Sequence, residues 1–305
     1  MHFTFRQLEV FVWVARSENI SRAAEQLNLS QSAVSGALSE LEKQFSVQLF
    51  DRIGKRLRLN ELGHALLPRA VELLDRANGL EQLLRAGEAI GPLAVGATLT
   101  LGNYLLPSVL TEYMRAHPQS QVRLDVANTR HIVDKIAGFE LDIALIEDSV
   151  NHPALLSEPW GGDSLVAFCA PSHPLAQQGR LSEADFSRVE WILRERGSGT
   201  RAAFDRACAM ANLDIEIRLE LEHTEGIKRA VESGLGVGCI SKLALREAFR
   251  RGSLVQLETP YLDLHRRFCL IRHRDKYLTP GLQHFLDLCR QALAAGIMAR
   301  ESGIP

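Results

Sequence analysis

The chain has 305 residues, more than one ordinary domain holds and enough for two or three. Its 46% apolar and 24% charged residues exclude a disordered or fibrous chain, and its net charge of −2 means that any nucleic-acid role must rest on a local basic patch. Apolar runs such as GLGVGCI fall far short of a membrane span, and the start MHFTFRQLEV lacks the charged and apolar regions of a signal peptide; no membrane partner and a cytoplasmic location are expected. The five cysteines lie 20 or more residues apart with no CxxC pair, and the ten histidines show no HExxH spacing. Buried structural thiols, no metal site and no cofactor are the expectation.

Residues 4–17 read as a helix burying Phe5, Leu8, Phe11, Val12 and Ala15. Residues 21–45 read as two short helices joined at Leu27-Asn28-Leu29, with Ser21 and Ser30 as caps. On the second of these, Val34, Ala37, Leu38, Leu41 and Phe45 form one apolar stripe. The opposite face offers Gln31, Ser32, Ser35, Gly36 and Ser39, short groups that suit a helix laid in the DNA major groove. An ordinary amphipathic helix pair would read the same way, so the flanks decide. Residues 47–60 read as a small hairpin, interrupted at Gly54 and Lys55. It carries Arg52, Lys55, Arg56 and Arg58 against one acid, Asp51, a local charge of +3. A basic hairpin after a helix pair is what a winged helix needs: cations on the wing hold phosphates while the helix reads bases.

The run SRAAEQLNLSQSAVSGALSELEKQFSVQLFDRIGKRLRLNELG resembles the DNA-binding signature of LysR-type transcriptional regulators. Ala23-Ala24, Leu27, Ser30, Val34-Ser35, Leu41-Glu42 and Leu49-Phe50-Asp51-Arg52 stand in family register. Ser32 replaces a frequent proline, and Gly36 a longer polar or basic residue, which bears on operator preference and not on DNA binding itself. Gly36 also costs the helix up to roughly 1 kcal/mol against Ala. The resemblance implies Gln31, Ser32, Ser35 and Ser39 on bases, and Arg52, Lys55, Arg56 and Arg58 on phosphates.

Residues 60–87 follow as a long helix capped by Asn60 and containing Pro68. Leu66, Ala70, Leu73, Ala77, Leu80 and Leu84 alternate by four and three as a short seam, over roughly 40 Å. A core helix is the plain alternative; the resemblance implies a linker that pairs two subunits, so that two recognition helices meet two half-sites. After GEAIGP, short apolar strands alternate with helices: LAVGAT, a helix at about 103–117, VRLDVA, a helix near 129–138, and DIALIE. SLVAFCA, a short helix near 182–186, EWILRE, a helix at about 200–212, IRLELE, a helix at 225–233, GVGCIS and a returning strand near 267–272 complete the pattern. That is α/β with mostly parallel strands.

The expected fold is therefore α/β with an N-terminal α-rich winged helix-turn-helix (residues 1–59), a linker and dimerisation helix (60–88) and a regulatory domain (89–305). The resemblance makes the last a two-subdomain, periplasmic-binding-protein-like effector domain, subdomain I about 89–162 and 266–295, subdomain II about 163–265. Ligands of such sheets bind at the carboxyl ends of strands against helix starts. Three junctions qualify: Thr98, Leu99, Thr100 and Asn103; Ser198, Gly199, Thr200 and Arg201; and Thr224 with Glu225. Ser and Thr also cap helices at such places. The second junction adds glycines for close backbone approach and a guanidinium suited to an oxyanion. Glu147 ends a strand near the same cleft.

GATLTLGNYLLPSVL and WILRERGSGTR are similar to a sulfur-metabolism branch of the family, of the CysL and YeiE type, which implies sulfite or a related oxyanion as effector. The glycines of GLGVG end a helix and open a strand, the reverse of a dinucleotide fingerprint. No catalytic grouping stands out, so no enzyme is expected. The partners expected are double-stranded DNA, a small anionic effector, RNA polymerase and further copies of the chain as a dimer of dimers. An exported solute-binding protein, or an enzyme fused to a DNA-binding module, would share the α/β lobes. The first would lack residues 1–60, and the second would need a catalytic group.

Overall fold

The computed structural model describes residues 2–53, 56–86, 90–148 and 150–294. Helices α1 (Phe5–Ser17), α2 (Ile20–Leu27) and α3 (Gln31–Phe45) form the N-terminal bundle, and β1 (Phe50–Ile53) with β2 (Arg56–Leu59) the antiparallel wing. Thr4 and Gln7 close a capping box on α1, and Ser30 accepts from the Ala33 N–H at the head of α3. The cap of α2 is Asn19, not Ser21: its carboxamide oxygen accepts from the N–H groups of both Ser21 and Arg22, which places Ser21 inside the helix. Leu8, Phe11, Val12, Ala23, Val34, Leu38 and Leu41 are buried together. Phe45 is not part of that core; at 48% exposure it leans on Phe3 at the surface.

Helix α4 (Glu61–Ala86) starts under Asn60, whose side chain accepts from Gly63 N–H, and it contains Pro68. Its first turns join the bundle core through Leu67, Ala70 and Val71, while Leu80 is 61% exposed. Of the seam, Leu84 has a side chain outside the described residues.

The α/β region runs β3 (Leu93–Ala97), α5 (Leu99–Tyr104), α6 (Leu106–Ala116), β4 (Val122–Val126), α7 (Thr129–Ala137), β5 (Ile143–Glu147) and β6 (Leu155–Cys169). It continues through α8 (Glu183–Phe186), β7 (Glu190–Arg194), α9 (Gly199–Met210), β8 (Glu216–Leu221), α10 (Thr224–Glu232) and β9 (Val237–Ser241). The last elements are α11 (Lys242–Arg251), β10 (Val255–Leu257), β11 (His265–His273) and α12 (Pro280–Ala294). The helix expected at 103–117 is two helices beginning at Leu99. Pro107 has no N–H to continue α5, and the chain breaks at Leu105 before α6.

Strands β3, β4 and β5 pair in parallel, as do β7, β8 and β9. The strands that join these two sets, β6 and β11, are antiparallel, so the sheet is less parallel than the sequence pattern suggests. β6 pairs with β11 through Ser164 and changes to β9 at Leu165, which is where one half of the region hands over to the other. It begins nine residues ahead of the expected SLVAFCA strand because Pro159, Gly161 and Gly162 look like a loop. Gly162 is required by proximity: a Cβ there would stand 2.4 Å from the Arg266 carbonyl oxygen. One core centres on Leu101, Tyr113, Trp160 and Phe285, and another on Phe186, Trp191 and Phe204.

Candidate DNA-binding and effector sites

The recognition face of α3 forms as the spacing requires. Gln31, Ser32, Ser35 and Gly36 are exposed and Ser39 is half-buried, while Val34, Leu38 and Leu41 face inward. Ser32 Oγ lies 3.0 Å from the capping Ser30 Oγ, so Ser32 is partly engaged in the cap. On the wing, Arg52 pairs opposite Leu57 and Arg58 opposite Asp51, which puts these two arginines on opposite faces of the hairpin. Both are exposed, and Arg58 borders the space between the bundle and the effector region. Lys55 and the side chain of Arg56 lie outside the described residues.

The place where the two halves of the α/β region meet is organised by a residue that the sequence patterns did not single out, Arg266 on β11. Its side chain is fully buried. Asp163, its cross-strand partner on β6, accepts from Nε at 2.6 Å and from Nη2 at 3.0 Å, a two-pronged carboxylate grip. Ser241 Oγ donates to Asp163 at 2.5 Å and steadies that carboxylate. The rest of the guanidinium joins helices from the two halves: Nη2 donates to Thr100 Oγ1 of α5 at 3.1 Å, and Nη1 to Thr200 Oγ1 of α9 at 2.9 Å. Glu147 Oε1, at the end of β5, stands 3.5 Å from Nη1 and makes no hydrogen bond. Burial works against the Arg266 charge, but Asp163 and Glu147 outweigh it and hold its pKa above the ordinary value.

Three of the expected residues therefore meet around one cation: Thr100, Thr200 and Glu147. Gly199 is there for close approach, since a Cβ on it would come within 2.9 Å of Glu147 Cβ and 3.0 Å of its carbonyl oxygen. Thr98 and Ser198 head α5 and α9 with extended backbone, yet neither side chain caps its helix. Thr98 Oγ1 is buried without a partner, so capping does not account for it. Leu99 is buried beside it.

Other expected members stand apart. Arg201 is not the cleft guanidinium. It is buried, but it donates to Asp205 at 2.8 Å, to the Arg194 carbonyl at 3.1 Å and to Glu220 at 2.5 Å, because one turn of α9 directs it toward β8. Asn103 is exposed on α5. Glu225 is also exposed and accepts from Lys228 Nζ at 2.6 Å and from Tyr104 Oη at 3.3 Å. Burial, with Glu225 nearby, pushes the Tyr104 hydroxyl up to about 12, so it stays a donor. Thr224 is buried in the first turn of α10. Arg266 and Asp163 did leave a signal: each is a charge placed in step with the inward residues of its strand, Phe268 and Leu270 for one, Leu165 and Ala167 for the other.

Residues 5–64 match the family model "Bacterial regulatory helix-turn-helix protein, lysR family", and residues 86–294 match "LysR substrate binding domain". The HTH-type transcriptional regulator YeiE of Escherichia coli (strain K12) is 43% identical, over 96% of this chain and 99% of its own. This chain belongs to the LysR family of transcriptional regulators. A full-length OxyR variant from Pseudomonas aeruginosa shares the fold, with a TM-score of 0.73 at 22% identity over 96% of this chain and 95% of that one. The regulatory domain of CcmR from Synechocystis PCC6803 is 27% identical, with a TM-score of 0.62, covering 67% of this chain and 98% of its own. As a LysR-family regulator the protein carries a DNA-binding helix-turn-helix domain and an effector-binding domain, and is not an enzyme. Among the described residues no helix is long and apolar enough to cross a membrane.

Proposed function

We propose that this regulator is set on its DNA by a small oxyanion of the sulfite class, held in the cleft around Arg266. The observation that carries the reading is the buried Arg266 bridge between Thr100 and Thr200, with Glu147 Oε1 beside the guanidinium and Thr98 Oγ1, two residues before Thr100, both left without hydrogen bonds. Buried polar atoms without partners mark a place built for another group. Arg266 and the threonine hydroxyls suit oxyanion acceptors, and Glu147 suits a ligand that carries a proton. The similarity to the CcmR regulatory domain, solved in complex with 2-PG, supports a small ligand in a domain of this kind. Residues 89–162 with 266–295 and residues 163–265 act as the two jaws. The exposed Leu80 end of α4 pairs two chains, dimers join as tetramers, and the complex meets RNA polymerase in the cytoplasm at a pseudo-palindromic site.

A thermal-shift series with sulfite, sulfate, phosphate and nitrate tests the effector. Sulfite-class anions are expected to raise the melting temperature of the wild type. Thr98→Val removes a hydroxyl with no partner, so the unliganded melting temperature should hold while the ligand increment is lost. If no oxyanion moves the wild type, or Thr98→Val keeps the full increment, the cleft assignment fails.

A further inference from the structure

The effector region touches the DNA-binding half of its own chain in a contact made of buried charge and one aromatic wedge. Phe139, in the turn between α7 and β5, has φ +57° and is 3% exposed. Its ring packs with the winged-helix core beside Leu67, Ala70 and Val71, and its carbonyl accepts from Arg16 of α1. The His273 ring lies 4.0 Å behind it. One step along the surface, Lys276 has a side chain only 4% exposed, with Nζ 2.6 Å from Asp75 of α4 and 2.8 Å from Asp142 at the head of β5. The Arg76 guanidinium covers the Tyr277 ring at 4.8 Å.

Two features distinguish this contact from a permanent core. It surrounds a cavity of about 1380 Å³ lined by Arg16, Arg58, Arg69, His152 and Arg274, so the two halves meet at points and not over a packed face. Its charges are one cation between two carboxylates, and burial, with Asp142 adding to it, pushes the Asp75 carboxyl up against the pull of Lys276. Buried ions of this sort add little net stability but strongly penalise every arrangement in which one of them stays dry and unpaired. They select one setting of two bodies.

The contact also has a position. β5 and β11 are hydrogen-bonded neighbours. Asp142 heads β5 and Glu147 ends it, about 17 Å away at ~3.3 Å per residue. Arg266 lies at the start of β11, and His273 and Lys276 follow at its far end. The same two strands thus carry the effector cleft at one end and the domain contact at the other.

We propose that Lys276, Asp75 and Asp142, with Phe139 as the wedge, form an intramolecular latch that holds the winged helix and linker against their own effector domain in one of two settings. Opening the latch frees the DNA-binding half to take a different angle, which changes how a pair of recognition helices meets two half-sites. Ligand occupancy around Arg266 biases it only as far as the two settings differ in ligand affinity.

The test uses the full-length protein, with spin labels at Glu25→Cys on α2 and Met210→Cys on α9, both exposed positions, the native cysteines being buried. Labelled chains are diluted into unlabelled ones so that only distances within a chain are read by double electron–electron resonance. Lys276→Met keeps the buried stem and removes the charge; Phe139→Gly keeps the positive φ and removes the wedge. Each should shift or broaden the distance distribution relative to its parent. Each should also change affinity for a duplex selected by the wild type from random sequence by about fivefold or more, the low end of ordinary coupling. Circular dichroism and melting of the variants show that they are folded. Should Lys276→Met not fold, Arg76→Ala acts on the exposed rim of the same contact and must broaden the distribution. Unchanged distances in the folded variants overturn the latch. Changed distances with unchanged DNA affinity overturn its regulatory part. Neither readout uses an effector, so failure of the oxyanion assignment is read separately.

Discussion

At the scale of single residues, the proposed effector site turns on what Arg266 leaves behind when it is removed. Asp163 is 2% exposed and takes two of its hydrogen bonds from that guanidinium. Arg266→Ala should therefore cost about 3–5 kcal/mol, the usual penalty for stranding a buried charge, read as a lower denaturant midpoint. Arg266→Met combined with Asp163→Leu should recover much of the loss while still binding no oxyanion. A double variant as unstable as the single one would mean that the pair does not form. Thr100, Gly199 and Thr200, which the structure brings to Arg266 and Glu147, share a reason for standing out in the sequence: strand ends followed by helix starts are local features. Arg266 and Asp163 are partners 103 positions apart, and nothing local to either names the other. Arg201 shows the opposite error. GSGTR is a persuasive local run, but which way one side chain leaves α9 depends on Asp205 and on Glu220 of the neighbouring strand.

At the scale of elements, the winged helix was legible because its contacts span short stretches of chain: α1 to α3 and the wing pack within about the first sixty residues. The strand expected near 267–272 is β11, but the first half of β6 was not legible, since its partner β11 comes from distant sequence and its own glycines and proline mimic a loop. Within α3, Gly36 stands in open space, with nothing within 4 Å of where a Cβ would go. Gly36→Ala should thus stabilise the DNA-binding half by about 0.5–1 kcal/mol, seen as a higher melting temperature, with DNA binding retained. A loss of stability would mean that the exposed face of α3 is not helical as described. On the wing, Arg52→Ala should lower affinity for all sequences and reduce the slope of log affinity against log salt by about 1. An unchanged slope would remove Arg52 from the phosphate contacts.

At the scale of the whole molecule, the domain contact makes stability respond to acid, and the sign follows from His273. Burial is the largest influence on its ring and lowers its pKa; Arg274, His152 and Lys276 act in the same direction, and Asp275 opposes them. A histidine held below its ordinary value takes up its proton more readily when the fold opens. Its contribution to stability is thus intact above about pH 6.5 and fades as pH falls through that value. His117 and His173 are also lowered by burial, so they add to the same trend. Urea midpoints should decline from about pH 7.5 to about pH 5, and His273→Phe, which can keep a ring against Phe139, should make that decline shallower without abolishing it. A decline of equal steepness in the variant would show that His273 titrates no differently in the folded and unfolded chains. If it is shallower, and the spin-label distances of the wild type also broaden toward acid while those of His273→Phe do not, the proton acts on the contact between the halves. Broadening in both would leave Asp75, whose carboxyl burial pushes up, as the group that acid disarms.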